Sequence, residues 1–344
     1  MPTILAVSGI LIDRAFPGLG QSAAQRRRAL TMSAVVKIIG LARQHNVDAI
    51  VIVGGLFDGQ SVGIHSISAA MQILDTFDGV VLIAPGARDP FDEDGEYGGP
   101  AMGNRARVWR TSSFTEGASL DGARILGRAS KRPSGGDSRL PDVDPAQASI
   151  VIGDGIDVSD AAAWASRSPN RHVITTGDPE QFGSGVTVLA PVNADVGHPF
   201  GQAVLVTVEA GGRVATRAAS VLEGSPATVD VDVTDVADTI GLAKRINSQA
   251  ETIEPWSVLR LSGELPQGVL LPSTIGSAPV RDDIILDESA LSFAFTEPAS
   301  GDRTALAEFL RSAADAAGDD KVRHQAIALG LQALGSVARE VAAL

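Results

Sequence analysis

The chain has 344 residues, no cysteine, 44% hydrophobic but only 4% aromatic residues, and a formal net charge of −13 at pH 7. The absence of cysteine excludes disulfides, zinc–thiolate centres and thiol catalysis, and the acidic balance is the wrong sign for a protein that grips duplex DNA through its own surface. No stretch approaches the roughly 20 apolar residues that span a bilayer, and the opening Met1–Gly9 reads as a strand with no basic leader, so a cytoplasmic protein without membrane contact is expected.

The length suits two domains with a sizeable core built from Ala, Val, Ile and Leu. A first strand at Ile4–Val7 runs into Ser8-Gly9-Ile10-Leu11, and a helix from about Ala23 to His45 follows. The uninterrupted apolar run Ala49–Val53 reads as a buried strand ending in Gly54-Gly55-Leu56-Phe57-Asp58, and Val80–Ala84 as another ending in Pro85-Gly86-Ala87-Arg88-Asp89. Asp92–Gly103 and Lys131–Ala146, rich in Gly, Pro and acidic residues, read as long surface loops. Ser149–Ile152 leads to Gly153-Asp154, Ala161–Ser166 is a short helix carrying Trp164 toward the core, and Val173–Thr176 leads to Gly177-Asp178-Pro179-Glu180. Alternation over Gly201–Val208 and Arg213–Arg217, around Ala210-Gly211-Gly212, predicts a hairpin.

After Gly224-Ser225-Pro226 the pattern becomes strand (Val229–Val233), helix (Val236–Ser248) and strand (Ser257–Gly263), with Ile284–Leu286 and Leu291–Phe295 completing a small sheet. Two helices end the chain, divided by Gly318-Asp319-Asp320. On the second, Ile327, Leu331, Leu334, Ala338 and Val341 alternate by four and three over about two heptads. Basic residues gather at Arg26–Arg28, around Trp109 (Arg105, Arg107, Arg110) and at Arg124, Arg128, Lys131 and Arg132, and read as solvated faces.

The ordered series of strand ends resembles the calcineurin-like metallophosphoesterases, and among them the SbcD-type exonuclease subunits, with the metal-ligand motifs degenerate. Gly9 and Leu11 stand where the family carries Asp-x-His. Gly55 replaces the bridging Asp of Gly-Asp-Leu-Phe-Asp. Ala87 and Arg88 stand where Gly-Asn-His-Asp supplies a ligand Asn and a catalytic His, while Asp154, Asp178 and Glu180 occupy later histidine places. The resemblance implies an α/β fold: a metallophosphoesterase β-sandwich flanked by helices over 1–223, a small α+β capping domain over 224–299, and a C-terminal helix-loop-helix over 300–344.

Two-metal phosphodiester hydrolysis requires cations about 3.5–4 Å apart in a cage of donors. Gly9, Gly55 and Ala87 offer none, Leu11 is apolar, and Arg88 repels a divalent ion. No cofactor is therefore expected, and the implied role is a catalytically inactive subunit that scaffolds a coiled-coil ATPase of the SbcC or SMC type in DNA repair, genome maintenance or defence. Ile327, Leu331, Leu334 and Val341 would form the partner-binding seam, and DNA would be contacted only through the complex. A homodimer through the first helices, as in relatives, and helices folded back on their own domain are the competing associations. Two other functions stay open at this point: an active phosphodiesterase with Mn or Mg held by a rebuilt cluster of Asp58, Asp89, Asp154, Asp178 and Glu180, and a nucleotide- or phosphate-binding module with Arg88 as its anion contact.

Overall fold

Uninterrupted apolar runs become central parallel strands because both their faces are covered. That is the situation of β1 (Thr3–Val7), β2 (Ala49–Val53) and β3 (Val80–Ala84), which pair in parallel and are buried almost throughout. The computed structural model describes all residues except 60–61, 103–104, 132–138, 178–184, 194, 199, 272–280, 296–303, 316–319 and 343–344. The fold is mixed α/β, several sheets flanked by helices, and the chain forms two units. One comprises Met1–Pro17, Gln21–Asp195 and Pro199–Ser225; the other comprises Gly18–Gly20, Val196–His198 and Pro226–Leu344.

In the first unit a six-stranded sheet has the order β11-β10-β1-β2-β3-β4, where β4 is Arg107–Val108, β10 is Gln202–Val208 and β11 is Val214–Ser220. The β10–β11 hairpin adds antiparallel to β1. A five-stranded sheet has the order β5-β6-β7-β8-β9: Thr115–Leu120, Ala123–Gly127, Ser149–Ile152, Arg171–Thr176 and Val186–Leu189, parallel from β6 onward.

Side chains alternate across the faces of this second sheet. Ile125, Ile150, Ile152 and Ile174 join the core that holds Leu5, Ile50, Ile52 and Ile83 of the first sheet. Leu126, Val151 and Val173 instead pack with Trp164 of α3 (Val158–Ala165). The first sheet is covered by α1 (Gln21–Gln44) and α2 (Ile64–Leu74), whose Val35, Ile38, Ala70 and Met71 enter the shared core. The unit is therefore layered helix–sheet–sheet–helix. Each fully buried Ile or Leu in it contributes roughly 2–3 kcal/mol of transfer free energy.

Several expectations are corrected here. Arg27 is not solvated: it is wholly buried, with its guanidinium over the Phe200 ring at 4.5 Å and the Phe16 ring at 5.6 Å, and burial lowers it to about 10. Arg124 belongs to a hairpin, β5–β6, that turns at Asp121-Gly122 with positive φ at both residues, the geometry that hairpin turns favour, while Arg132 lies outside the described residues. Tyr97, placed by sequence in a surface loop, is 2% exposed.

His172 on β8 is buried and shares a 2.8 Å hydrogen bond with Thr187 of β9. Burial lowers its pKa from 6.5 to about 4. The unfolded chain therefore takes up a proton first as pH falls through about 6.5, and stability is lost between that point and about 4. Urea unfolding at pH 7 and pH 5 should differ by about 2 kcal/mol from this group, and His172→Gln should remove that difference; an unchanged pH dependence in the variant would show that His172 is not its source.

In the second unit, β12 (Thr228–Asp232), β13 (Val258–Leu265) and β14 (Ile285–Phe293) form an all-parallel sheet in that order, with α4 (Thr239–Ala250) as the crossover between the first two. The two strands expected after residue 283 are one continuous strand. Its polar middle, Asp287–Ser289, hid this: Asp287 pairs with Arg260, and Glu288 is buried against Lys321.

The chain ends in α5 (Ala305–Asp315) and α6 (Asp320–Ala342), which cluster with this sheet in the same unit. His324 of α6 bonds the Val269 carbonyl at 2.8 Å and stacks on Phe293 at 4.3 Å. Ile327 is 3% exposed, so the first position of the expected partner seam is intramolecular packing, and Leu331 lies beside Gly268. The side chains of Leu334 and Val341 are outside the described residues. Among the described side chains of α6, the large apolar ones that face outward are Val322 and Leu329.

Candidate functional site

The parallel strands β1, β2 and β3 end side by side, and their following segments stay paired. Gly9 N–H donates to the Gly54 carbonyl at 3.0 Å, Leu11 N–H to Gly55 at 2.8 Å, and Gly54 N–H to Ala84 at 2.8 Å. On the other flank, Asn193 N–H donates to the Gly9 carbonyl at 2.9 Å. The carboxyl ends of parallel strands are where open α/β sheets place ligands.

The residues found there close the space instead of lining it. Gly9 has φ +59, and a Cβ on it would stand 2.4 Å from Cβ and 2.7 Å from Cα of Pro191. Gly55 has φ +65, and a Cβ on it would meet Leu11 Cδ2 at 3.0 Å and Gly9 Cα at 3.1 Å. Leu11, itself at φ +55, is 3% exposed. Gly9, Leu11 and Gly55 thus lie together at the strand ends, in packed contact and without one side-chain donor for a metal.

Ala87 contributes only its backbone N–H, which donates to Asp154 at 2.7 Å. The Arg88 side chain is 55% exposed and reaches Asp58 at 4.0 Å, an exposed pairing worth about 0–1 kcal/mol.

Asp89 is the organising residue that sequence reasoning misplaced among possible metal ligands. It is fully buried, and both oxygens are engaged. Oδ1 accepts from Gly55 N–H at 2.8 Å and Gly86 N–H at 2.9 Å; Oδ2 accepts from Leu56 N–H at 2.7 Å, Phe57 N–H at 3.3 Å and the Tyr97 hydroxyl. Burial pushes its carboxyl above the ordinary range, while the Tyr97 hydroxyl and the backbone donors pull the other way. Burial, with Asp89 adjacent, holds the Tyr97 hydroxyl well above its usual value, so it stays a donor. The Tyr97 ring packs on Phe57 at 5.4 Å. The available signal was Gly86-x-x-Asp89 directly after a buried strand, the spacing of a carboxylate that caps its own turn.

Asp154 follows β7 and Thr176 ends β8, in the second sheet. The Asp154 carboxylate accepts from Ala87 N–H and from the Thr176 hydroxyl. Asp178 and Glu180 lie outside the described residues. Of the five candidate carboxylates, then, Asp89 and Asp154 are held by donors and Asp58 faces Arg88. Among the described residues no group of three or more His, Asp or Glu side chains is gathered as a metal site would require, and a divalent cation does not fit the donor set that Gly9, Leu11, Gly55, Ala87 and Arg88 present. No described helix is long and apolar enough to cross a membrane.

No family model matches the sequence, and no curated protein matches it. Among solved structures, the chain is similar to TT1561 of Thermus thermophilus, with 17% identity over 63% of this chain and 98% of that one and a TM-score of 0.36. It is similar to a dimetal phosphatase from Danio rerio, with 10% identity over 64% and 97% of the respective chains and a TM-score of 0.44. It is also similar to GAP50, the anchor in the inner membrane complex of Plasmodium, with 11% identity over 64% and 84% and a TM-score of 0.35.

Proposed function

We propose that this chain is a metallophosphoesterase-type protein without the metal chemistry, an SbcD-like subunit that scaffolds a coiled-coil ATPase of the SbcC or SMC type and acts on DNA only through that complex. The observation that supports the non-catalytic part is the packing at the strand ends: Gly9 lies against Pro191 and Gly55 against Leu11, and these positions offer no side-chain donor to a cation. A layered helix–sheet–sheet–helix unit with its loops gathered at the same strand ends supports the family reading. The −13 net charge supports DNA contact through a partner.

The partner role rests on the helical hairpin α5–α6. Gly330 admits the Phe309 ring, which fixes the pair, and Val322 and Leu329, 60% and 47% exposed, lie seven residues apart on the outward face of α6. A spacing of seven repeats every two helical turns and suits a coiled-coil contact.

Two assays on the full-length chain test the proposal. Hydrolysis of a phosphodiester substrate and of single- and double-stranded DNA in Mn2+ or Mg2+ should stay at the buffer rate; metal-dependent hydrolysis abolished by Asp178→Asn would instead establish an active, rebuilt carboxylate site. A purified coiled-coil ATPase of the SbcC class should co-elute with the chain and lose at least tenfold in affinity to Val322→Glu/Leu329→Glu. Equal binding by that variant would place the interface elsewhere, and no binding by either would remove the scaffold role.

A further inference from the structure

Asp154 stands where the resemblance puts a metal-binding histidine, and its half-buried carboxylate is engaged by donors of the fold. One oxygen, Oδ2, accepts the Ala87 N–H at 2.7 Å, and the other accepts the Thr176 hydroxyl. Thr176 Oγ1 in turn accepts the Gly155 N–H at 3.1 Å. These partners belong to different sheets: Ala87 follows β3 of the first, Thr176 ends β8 of the second. Glycines make the space. A Cβ on Gly54 would stand 2.9 Å from Asp154 Oδ1, and a Cβ on Gly86 would stand 2.8 Å from Oδ2 and 2.6 Å from Gly54 Cα. The carboxylate is thus seated against the turns after β2 and β3 and tied to the end of β8.

We propose that Asp154 is a built-in clasp that ties the two sheets together at their carboxyl ends and replaces the structural role of bound metal, in a cradle shaped for a carboxylate. The proposal rests on the metal-free reading above. An N–H and an O–H aimed at separate oxygens of one carboxylate are charge-assisted hydrogen bonds, about twice as strong as neutral ones. They also define what an emptied cradle would accept: a small oxyanion of carboxylate shape, with formate as the nearest probe.

The test is thermal unfolding of the full-length chain, wild type beside Asp154→Ala and Thr176→Val, in EDTA, in Mn2+ and in formate or chloride at matched ionic strength. The wild-type Tm should be the same in EDTA and Mn2+. Asp154→Ala should fall by about 5 °C, recover at least half of that in formate and none in chloride. Thr176→Val should fall by less and combine with Asp154→Ala less than additively, because the two share a hydrogen bond.

An unchanged Tm in Asp154→Ala, or no recovery in formate, overturns the clasp and leaves the metal-free reading standing. A wild-type Tm raised by Mn2+, with the rise lost in Asp154→Ala, makes Asp154 a metal ligand and overturns both. If Asp154→Ala yields no soluble protein, Asp154→Asn, which keeps one acceptor oxygen, and Thr176→Val carry the same comparison in EDTA and Mn2+: both must lower Tm without a metal response, and an unchanged Tm in either overturns the clasp.

Discussion

Asp89→Asn should lower the unfolding free energy by roughly 4 kcal/mol, the largest effect expected of any single-atom-scale change in the chain. The reason is the distribution of donors. Oδ1 receives Gly55 N–H and Gly86 N–H; Oδ2 receives Leu56 N–H, Phe57 N–H and the Tyr97 hydroxyl. Whichever oxygen becomes an amide nitrogen, at least two buried donors then face another donor. Each buried donor left unsatisfied costs about 1–3 kcal/mol. Tyr97→Phe removes a donor instead of an acceptor and leaves the backbone N–H groups paired, so it should cost only about 1–2 kcal/mol. Urea denaturation of the two variants beside wild type reads both values. A loss below about 1 kcal/mol in Asp89→Asn would mean that water or a rearranged loop satisfies those donors, and that Asp89 does not organise the turns after β2 and β3.

Returning a carboxylate to the strand ends is the second large effect, and it should fail to restore metal binding. Gly9→Asp should cost roughly 4 kcal/mol or prevent folding, because its Cβ would lie 2.7 Å from the Pro191 backbone and the left-handed φ adds about 1 kcal/mol for a residue with a side chain. Gly55→Asp should cost roughly 3 kcal/mol: the nearest atoms are the end of Leu11, which can shift, and Gly9 Cα at 3.1 Å, which cannot shift cheaply. Thermal unfolding and Mn2+ titration of each soluble variant measure the two halves of the prediction. A Gly55→Asp protein that folds with wild-type stability and takes up Mn2+ would show that the site has kept its shape and lost only its ligands.

The parts of the fold that were legible in the sequence share one physical property, burial on both faces. Ala49–Val53, Val80–Ala84 and Ile150–Ile152 are unbroken apolar runs because helices or sheets cover each side, and the strands follow these runs, the last with Ser149 added at its start. Elements with one wet face were harder. Strand β5, Thr-Glu-Gly-Ala-Ser-Leu, is mostly polar and is held by its pairing to β6; the Asp121-Gly122 turn was the overlooked signal. Strand β14 was split in two because Glu288 points inward to Lys321, a contact 33 positions away in sequence that no local pattern reveals.

The same contrast holds at the site. That Gly9, Leu11, Gly55, Ala87 and Arg88 lack metal donors is a statement about residue types and can be read directly. That Pro191 fills the space at Gly9 depends on a segment 182 residues later, and that Asp89 and Asp154 are engaged by backbone and hydroxyl donors depends on turns from different strands. Arg27 was misread for a related reason: a run of three arginines looks solvated, whereas helical spacing turns the middle one into the core onto Phe200 and Phe16, where a guanidinium over an aromatic face is stabilised by the ring quadrupole.

Whether the strand-end site holds a catalytic metal is tested most directly by calorimetric titration of Mn2+ into the full-length, EDTA-stripped chain. No saturable binding is expected up to millimolar metal. A stoichiometric site of micromolar or tighter affinity, lost in Asp178→Asn or Glu180→Gln, would contradict the metal-free reading and make the protein a metal-dependent phosphoesterase with a rebuilt ligand set.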